Sequence, residues 1–167
     1  LIVRNIMASF EEVIYSFPIF ALKINLDANN IYHAEFMPPT IDAASRSITC
    51  SALAIEVIRQ LDEYCNNPKF KFDLPFSYSG TSHQLKVWQI MQQIEAGSTL
   101  TYGEVAKKLL SAPRAVGGAC GANPLPVFIP CHRIIAANSK LGGFNSGNIF
   151  FNLGIKKWLL DHEGIQL

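Results

Sequence analysis

The chain has 167 residues, 49% of them hydrophobic and 16% charged, with a net charge of +1. That balance excludes a disordered polymer and supplies apolar surface for one full domain or two small ones. No run approaches ~18 uninterrupted apolar residues, which excludes a spanning helix, and Leu1–Ser9 lacks the apolar core and small-residue site of a secretory leader.

Charge is unevenly placed. Residues 1–79 hold six Lys/Arg against nine Asp/Glu, whereas residues 80–167 hold eight against four. Either this is chance, or the second half meets a polyanion such as nucleic acid. Cys50, Cys65, Cys120 and Cys131 are widely spaced, with no CxxC pair and no Cys/His cluster at zinc spacing. Free thiols and a reducing compartment, most simply the cytoplasm, are expected.

In chain order, Phe20, Leu22, Ile24 and Leu26 alternate with polar or small residues, the period of a half-buried strand. Asn29-Asn30 signals a turn and Ile31–Met37 the returning strand of a hairpin. Ala52, Ile55, Ile58 and Leu61 give helical spacing across Ile48–Tyr64, stopped by Asn66-Asn67-Pro68. Phe70, Phe72 and Leu74 alternate as a further strand. Nothing in this portion suggests catalysis, and Cys50 and Cys65 read as packing residues.

Pro75–Gly80 is turn-rich and marks a boundary. Thr81-Ser82-His83-Gln84 has the form of a capping box, in which the first hydroxyl and the fourth side chain each satisfy the other's backbone N–H. The helix that follows buries Leu85, Trp88, Met91 and Ile94, and Gly97 closes it. Thr101-Tyr102-Gly103-Glu104 is a second capping box, opening a short helix with Val105, Ala106, Leu109 and Leu110 inward. Pro113 sets φ for the first turn of another helix through Ala119. Two short helices so joined are a helix-turn-helix candidate. The second holds Arg114, Ala115, Gly117 and Gly118. Two glycines cost about 1 kcal/mol each relative to Ala, so they suit either close approach to an outside surface or a tight internal hairpin.

Val127-Phe128-Ile129 reads as a buried strand leading to Pro130-Cys131-His132-Arg133, with Ile134-Ile135 continuing it. Asn138-Ser139-Lys140 is a turn, Gly142–Gly147 a loop, and Leu153–Asp161 the last helix. A thiol with a histidine beside it and an arginine two residues on has the surroundings of an activated nucleophile, because a nearby base or positive charge raises the thiolate fraction. The spacing alone equally allows a small buried apolar cysteine. The expected fold class is α+β: a small N-terminal sheet plus helix, then a mainly helical part with a helix-turn-helix and a cysteine loop.

Five stretches occur in one order: Thr101–Ala106, Arg114–Ala119, Asn123-Pro124, Ile129–Ile135, and Lys157–Leu160 with His162-Glu163-Gly164. Together they closely resemble the O6-alkylguanine–DNA alkyltransferases, over roughly residues 80–165. The resemblance implies a ribonuclease-H-like α/β unit over 1–79 without catalytic residues, and a DNA-binding, alkyl-transfer unit over 80–167. It implies single-turnover transfer of an alkyl group from O6-alkylguanine, with O4-alkylthymine a further candidate, to Cys131 without a cofactor. The partner is double-stranded DNA and the protein a monomer, in the cytoplasm or, in a eukaryote, the nucleus.

The implied roles agree with the chemistry. Cys131 is the acceptor, His132 its base through a water, and Glu163 the group orienting the imidazole. Asn123 braces the turn before the cysteine. Tyr102 lines the base pocket and donates to guanine as O6 becomes a carbonyl. Arg114 takes the place of a nucleotide rotated out of the stack. Ala115, Gly117 and Gly118 let their helix enter the minor groove. Ile134, Phe144 and Asn145 wall the pocket. Relative to the family, Asn148–Asn152 reads as an insertion. Some members carry zinc near the N-terminus; here no Cys or His precedes His33, so no metal is expected. The competing readings are a lesion sensor that transfers nothing and a cysteine hydrolase, the latter lacking a distant histidine and an oxyanion loop.

Overall fold

The structure is a computed structural model that describes residues 10–39, 51–138, 140–143 and 149–167. The chain opens with a three-stranded antiparallel sheet, β1 (Glu11–Ser16), β2 (Ala21–Leu26) and β3 (Ile31–Met37), in that spatial order. The expected hairpin is β2–β3, with Ile24 opposite Ala34. β1 is an addition to the sequence reading. Its Val13 lies opposite Ile24 and points into the core, but one buried residue between glutamates and half-exposed neighbours gives little alternation to detect.

Central β2 buries Ala21, Leu22, Ile24 and Leu26 completely, as a strand paired on both sides should. Helix α1 (Ala52–Asn66) packs beside β1. The predicted start at Ile48 lies outside the described residues. The described helix begins after Ser51, whose hydroxyl accepts from Ala54 N at 3.1 Å and whose own N–H donates to the Glu11 carboxylate.

Two expected strands are corrected. Phe70, Phe72 and Leu74 do turn inward alternately, yet the segment makes no ladder. Gln60 of α1 holds it instead, its Nε2 donating to Asp73 O and its Oε1 accepting from Asp73 N, each at 2.8 Å. Alternation reported burial there, not strand pairing. Val127–Ile129 is a tight turn rather than a strand. Val127 has φ +75°, a strained conformation for a β-branched residue, and Ile129 N donates back to Leu125 O at 2.7 Å.

Helix α2 (Ser82–Gln93) carries the expected capping box at Thr81/Gln84, and Gly97 turns after it at φ +85°. β4 (Leu100–Thr101) pairs in parallel with β5 (Ile134–Ile135). Between them lie α3 (Tyr102–Lys108), with its Thr101/Glu104 capping box, and α4 (Pro113–Gly121), with Pro113 in its first turn. α5 (Ile149–His162) starts four residues before the predicted Leu153. The apparent insertion therefore contributes the helix's first turn: Asn152 is buried and Phe151 packs against the core. Asn148 lies outside the described residues.

The sheet, α1, α2, α4 and α5 share one buried apolar cluster. Phe17 and Phe20 meet Trp158 of α5 edge-on, and Ala34 N of β3 donates to Pro124 O at 2.8 Å. The N-terminal sheet thus abuts both the last helix and the turn that precedes Cys131. Among the described residues no helix is long and apolar enough to cross a membrane.

Candidate active site

Three local devices place Cys131. Asn123, buried, accepts from Leu125 N at 3.0 Å and donates from Nδ2 to Ile129 O at 2.7 Å, closing the turn over 123–129. Pro130 follows at φ −80°, ψ 71°, the centre of an inverse γ-turn, and Cys131 N donates to Ile129 O at 2.8 Å. A single 3-10 turn over Cys131–Arg133 then begins. The thiol is left 3% exposed. Burial pushes it above the ordinary thiol range; a hydrogen bond with Asn123 and the Lys156 charge oppose that rise.

His132 is 1% exposed, and its Nε2 donates to Glu163 Oε1 at 2.9 Å. An ionised carboxylate only accepts, so the proton of a neutral imidazole sits on Nε2 and Nδ1 carries the basic lone pair. Nδ1 is buried and meets no hydrogen-bonding group among the described residues. Burial lowers the His132 pKa, more than the Glu163 carboxylate raises it. At neutral pH the pair is a thiol beside a neutral base.

Glu163 is the C-cap of α5. Ile165 N donates to Leu160 O and Gly164 N to Asp161 O, with Gly164 at φ +84°, a Schellman ending. A carboxylate is badly placed at the negative end of a helix dipole and needs donors. Besides His132, Arg133 donates from Nε to Oε2 at 2.9 Å and from Nη2 to Oε1 at 2.8 Å. Burial alone would raise the Glu163 carboxyl, but the hydrogen bonds and charges of His132 and Arg133 outweigh it and hold it at about 2. The Arg133 guanidinium is itself anchored on Ile94 O.

Tyr102, at the start of α3, donates to Gly143 O at 2.8 Å, and burial, then the neighbouring Cys120 and Cys131, push its phenol up. Ile134 is buried at the head of β5. α4 turns Val116, Ala119 and Cys120 inward and is pinned to α2 by Trp88 Nε1 donating to Ala119 O at 2.8 Å. Its outer face holds Arg114, Ala115 and Gly118, all exposed, while Gly117 is half-buried against Tyr102. A Cβ at Gly118 would meet nothing within 4 Å, so no internal contact explains that glycine.

The structure thus brings Cys131, His132, Glu163 and Asn123 into one buried cluster. It sets Tyr102 against α4 and the Gly142-Gly143 loop, and leaves Arg114 with its small neighbours on the surface. Phe144 and Asn145 lie outside the described residues. Two participants escaped the sequence reading. Lys156 is fully buried, its Nζ donating to Ile134 O at 2.6 Å and Gly143 O at 3.2 Å, 5.7 Å over the Tyr102 ring. Burial brings its pKa down to about 8, against the pull of Cys131 and Cys120. Its position three and four residues before Leu159 and Leu160 put it on the apolar face; that signal was readable. Tyr64 of α1 donates to Glu163 Oε1 at 2.9 Å, across a separation no local pattern spans. No group of three or more metal-ligating side chains gathers among the described residues.

Known proteins share this arrangement of sequence. The family model for the 6-O-methylguanine DNA methyltransferase DNA-binding domain matches residues 82–165. A methylated-DNA–protein-cysteine methyltransferase of Methanosarcina acetivorans is 36% identical over 155 residues, 90% of this chain and 96% of that protein. One of Haemophilus influenzae is 32% identical over 164 residues, 95% of this chain and 89% of that protein. Among solved structures, the Mycobacterium tuberculosis OGT in complex with DNA superposes with a TM-score of 0.73 at 28% identity, covering 90% of each chain. With its cysteine turn, the α3–α4 helix pair and the helix-end glutamate inside the matched stretch, the chain belongs to the methylated-DNA–protein-cysteine methyltransferase family.

Proposed function

We propose that this protein repairs O6-alkylguanine in double-stranded DNA by moving the alkyl group onto Cys131, once per molecule and without a cofactor. The observation that carries the reading is the buried order Cys131, His132, Glu163. A neutral imidazole is held by a carboxylate on Nε2 and keeps Nδ1 free to take a proton.

The duplex docks on the outer face of α4. Arg114 enters from the minor groove and takes the place of the extruded nucleotide, while Ala115, Gly117 and Gly118 let the helix backbone approach the sugar-phosphate walls. Extrusion costs a few kcal/mol and is cheapest for a poorly paired, damaged base. The positive balance of residues 80–167 attracts phosphates and makes affinity fall with salt.

At the site, the thiol proton passes through a water to His132 Nδ1, and Glu163 stabilises the imidazolium that results. Lys156 favours the thiolate electrostatically. Sγ attacks the alkyl carbon as the carbon–O6 bond breaks, its electron pair remaining on O6. Tyr102 turns its O–H from Gly143 O to the guanine and gives up its proton as charge develops, so the base returns to the neutral carbonyl form without passing through a full anion, and the phenol is reprotonated through water by the His132 imidazolium, which carries the thiol's proton. Ile134 lines the base, and O4-alkylthymine is a second, smaller substrate. The S-alkylcysteine is not regenerated, so each molecule acts once.

In this reading residues 1–79 are a structural unit and residues 80–167 carry every group that touches DNA. One copy suffices, acting in the cytoplasm or in a eukaryotic nucleus. Intact-mass measurement after incubation with duplex DNA carrying one O6-methylguanine tests it. A gain of one methyl that saturates at one per protein and maps to Cys131 is expected, with none for Cys131→Ser. Tight lesion binding without mass gain would replace transfer by lesion sensing.

A further inference from the structure

We propose that Tyr64, from the N-terminal part of the chain, is a positioning residue for the transfer reaction, acting through Glu163. The inference rests on the alkyl-transfer reading above and adds to it a group from outside the matched stretch 82–165.

Tyr64 lies in the last turns of α1 and is 1% exposed. Its O–H donates to Glu163 Oε1 at 2.9 Å. That is the same oxygen that accepts from His132 Nε2 at 2.9 Å and from Arg133 Nη2 at 2.8 Å. A carboxylate oxygen has about two lone pairs for strong acceptance. Three donors on one oxygen therefore share it, and each weakens the hold of the others.

The tyrosine is itself fixed. Its backbone carbonyl accepts from His162 Nε2 at 2.9 Å, and its ring meets the His162 and Phe72 rings at 5.0 and 5.4 Å. Burial, then the Glu163 charge, raise the phenol. It therefore remains a donor throughout the working pH range.

A permanent neutral donor on Oε1 does two things. It fixes the rotamer of the carboxylate, and so the direction of the imidazole that hangs from it. It also withdraws negative charge from the oxygen facing His132, so Glu163 holds the imidazole N–H less strongly and Nδ1 stays neutral to lower pH. The groups that set this balance are Tyr64 from α1, His132 and Arg133 from the cysteine turn, and Lys156 and Glu163 from the α5 region. The phenol also feels Arg133, which lowers it, and Cys65, which raises it.

The test uses the full chain and the free base O6-benzylguanine, which needs no DNA docking. Single-turnover transfer is followed by intact mass between pH 5 and 9. Tyr64→Phe keeps the ring and removes the donor. It should slow transfer about tenfold, the typical weight of a hydrogen bond to a charged group, and move the acid limb of the rate profile to higher pH. Affinity for undamaged duplex should be unchanged. Site-specific replacement of Tyr64 by 3-fluorotyrosine keeps both ring and hydroxyl but makes the O–H a stronger donor, so it should move the acid limb the other way. That second variant decides the matter should Tyr64→Phe unfold. A wild-type rate and an unmoved acid limb in the folded variants would reduce Tyr64 to a packing residue and overturn the proposal, while leaving alkyl transfer intact. Absence of transfer by the wild-type protein from both benzylguanine and alkylated duplex would overturn both readings together.

Discussion

Gly118→Ala sets fold stability and DNA docking against each other. A Cβ built there meets no atom within 4 Å, and the position is interior to α4. Glycine in a helix interior is worse than alanine by roughly 0.5–1 kcal/mol. The variant should therefore be more stable by about that amount, raising the Tm by about 1–4 °C for a chain of this size. Docking responds oppositely. A methyl on the approaching face holds backbone and groove wall apart, and an overfilled close contact costs about 1–3 kcal/mol. Duplex affinity should fall several-fold for Gly118→Ala, and about tenfold or more for Gly118→Leu, since 1.4 kcal/mol is a factor of ten. Transfer from free O6-benzylguanine should be unchanged, because neither side chain faces Cys131. Calorimetric melting, duplex titration at fixed salt and single-turnover transfer read the three quantities. A stabilised Gly118→Leu protein with undiminished duplex affinity would refute the assignment of this face.

Three further outcomes are expected. Arg114→Ala should slow repair of duplex DNA far more than reaction with free benzylguanine, measured side by side in single-turnover assays; equal losses would contradict base extrusion. Lys156→Met removes a charge that favours the Cys131 thiolate, so transfer at pH 7 should fall about tenfold, one pKa unit on the thiol being worth that factor. Since the Lys156 amine titrates at about 8, the wild-type pH–rate profile should also bend there and the variant's should not. Glu163 is depressed from the ordinary 4.5 to about 2, so its contribution to stability is complete above pH 4.5 and is lost as pH falls toward 2, on the order of 3 kcal/mol. Urea unfolding at pH 7 and pH 3 should show about two thirds of that loss in the wild type, about 2 kcal/mol, and a smaller one in Glu163→Gln.

What was legible in the sequence was local. A capping box closes within four residues, and both Thr81/Gln84 and Thr101/Glu104 form as read. Alternation identified β2, and the Asn29-Asn30 turn signal identified β3 as its return. Alternation misled at Phe70–Leu74 because Gln60, a side chain from α1, supplies the backbone partners there. An apolar run before Cys131 reads alike as strand or buried turn; what decides for the turn is Asn123 bonding both ends of it. The fourfold-bonded Glu163 was named through family resemblance, since nothing about a helix-end glutamate announces that it serves a histidine 31 residues away. Tyr64 lies 99 residues from the carboxylate it contacts, beyond any periodicity.

Burial explains why such long-range polar contacts must exist. The same desolvation raises the Cys131 thiol and lowers the His132 imidazole, so the resting pair is neutral, and neither charge has to be stabilised in an apolar surrounding until the reaction begins. For a nucleophile that works once, this has a chemical consequence. A standing thiolate is consumed by any small electrophile or oxidant that reaches it, whereas a buried thiol fires only when its proton has somewhere to go. The carboxylate that accepts the developing imidazolium charge must then be ionised beforehand. That demands Arg133 and the phenol of Tyr64 around Glu163, and those donors come from the cysteine turn and from the far end of the chain. The reactive dipeptide is written in two adjacent letters, but its restraint is a property of the assembled fold.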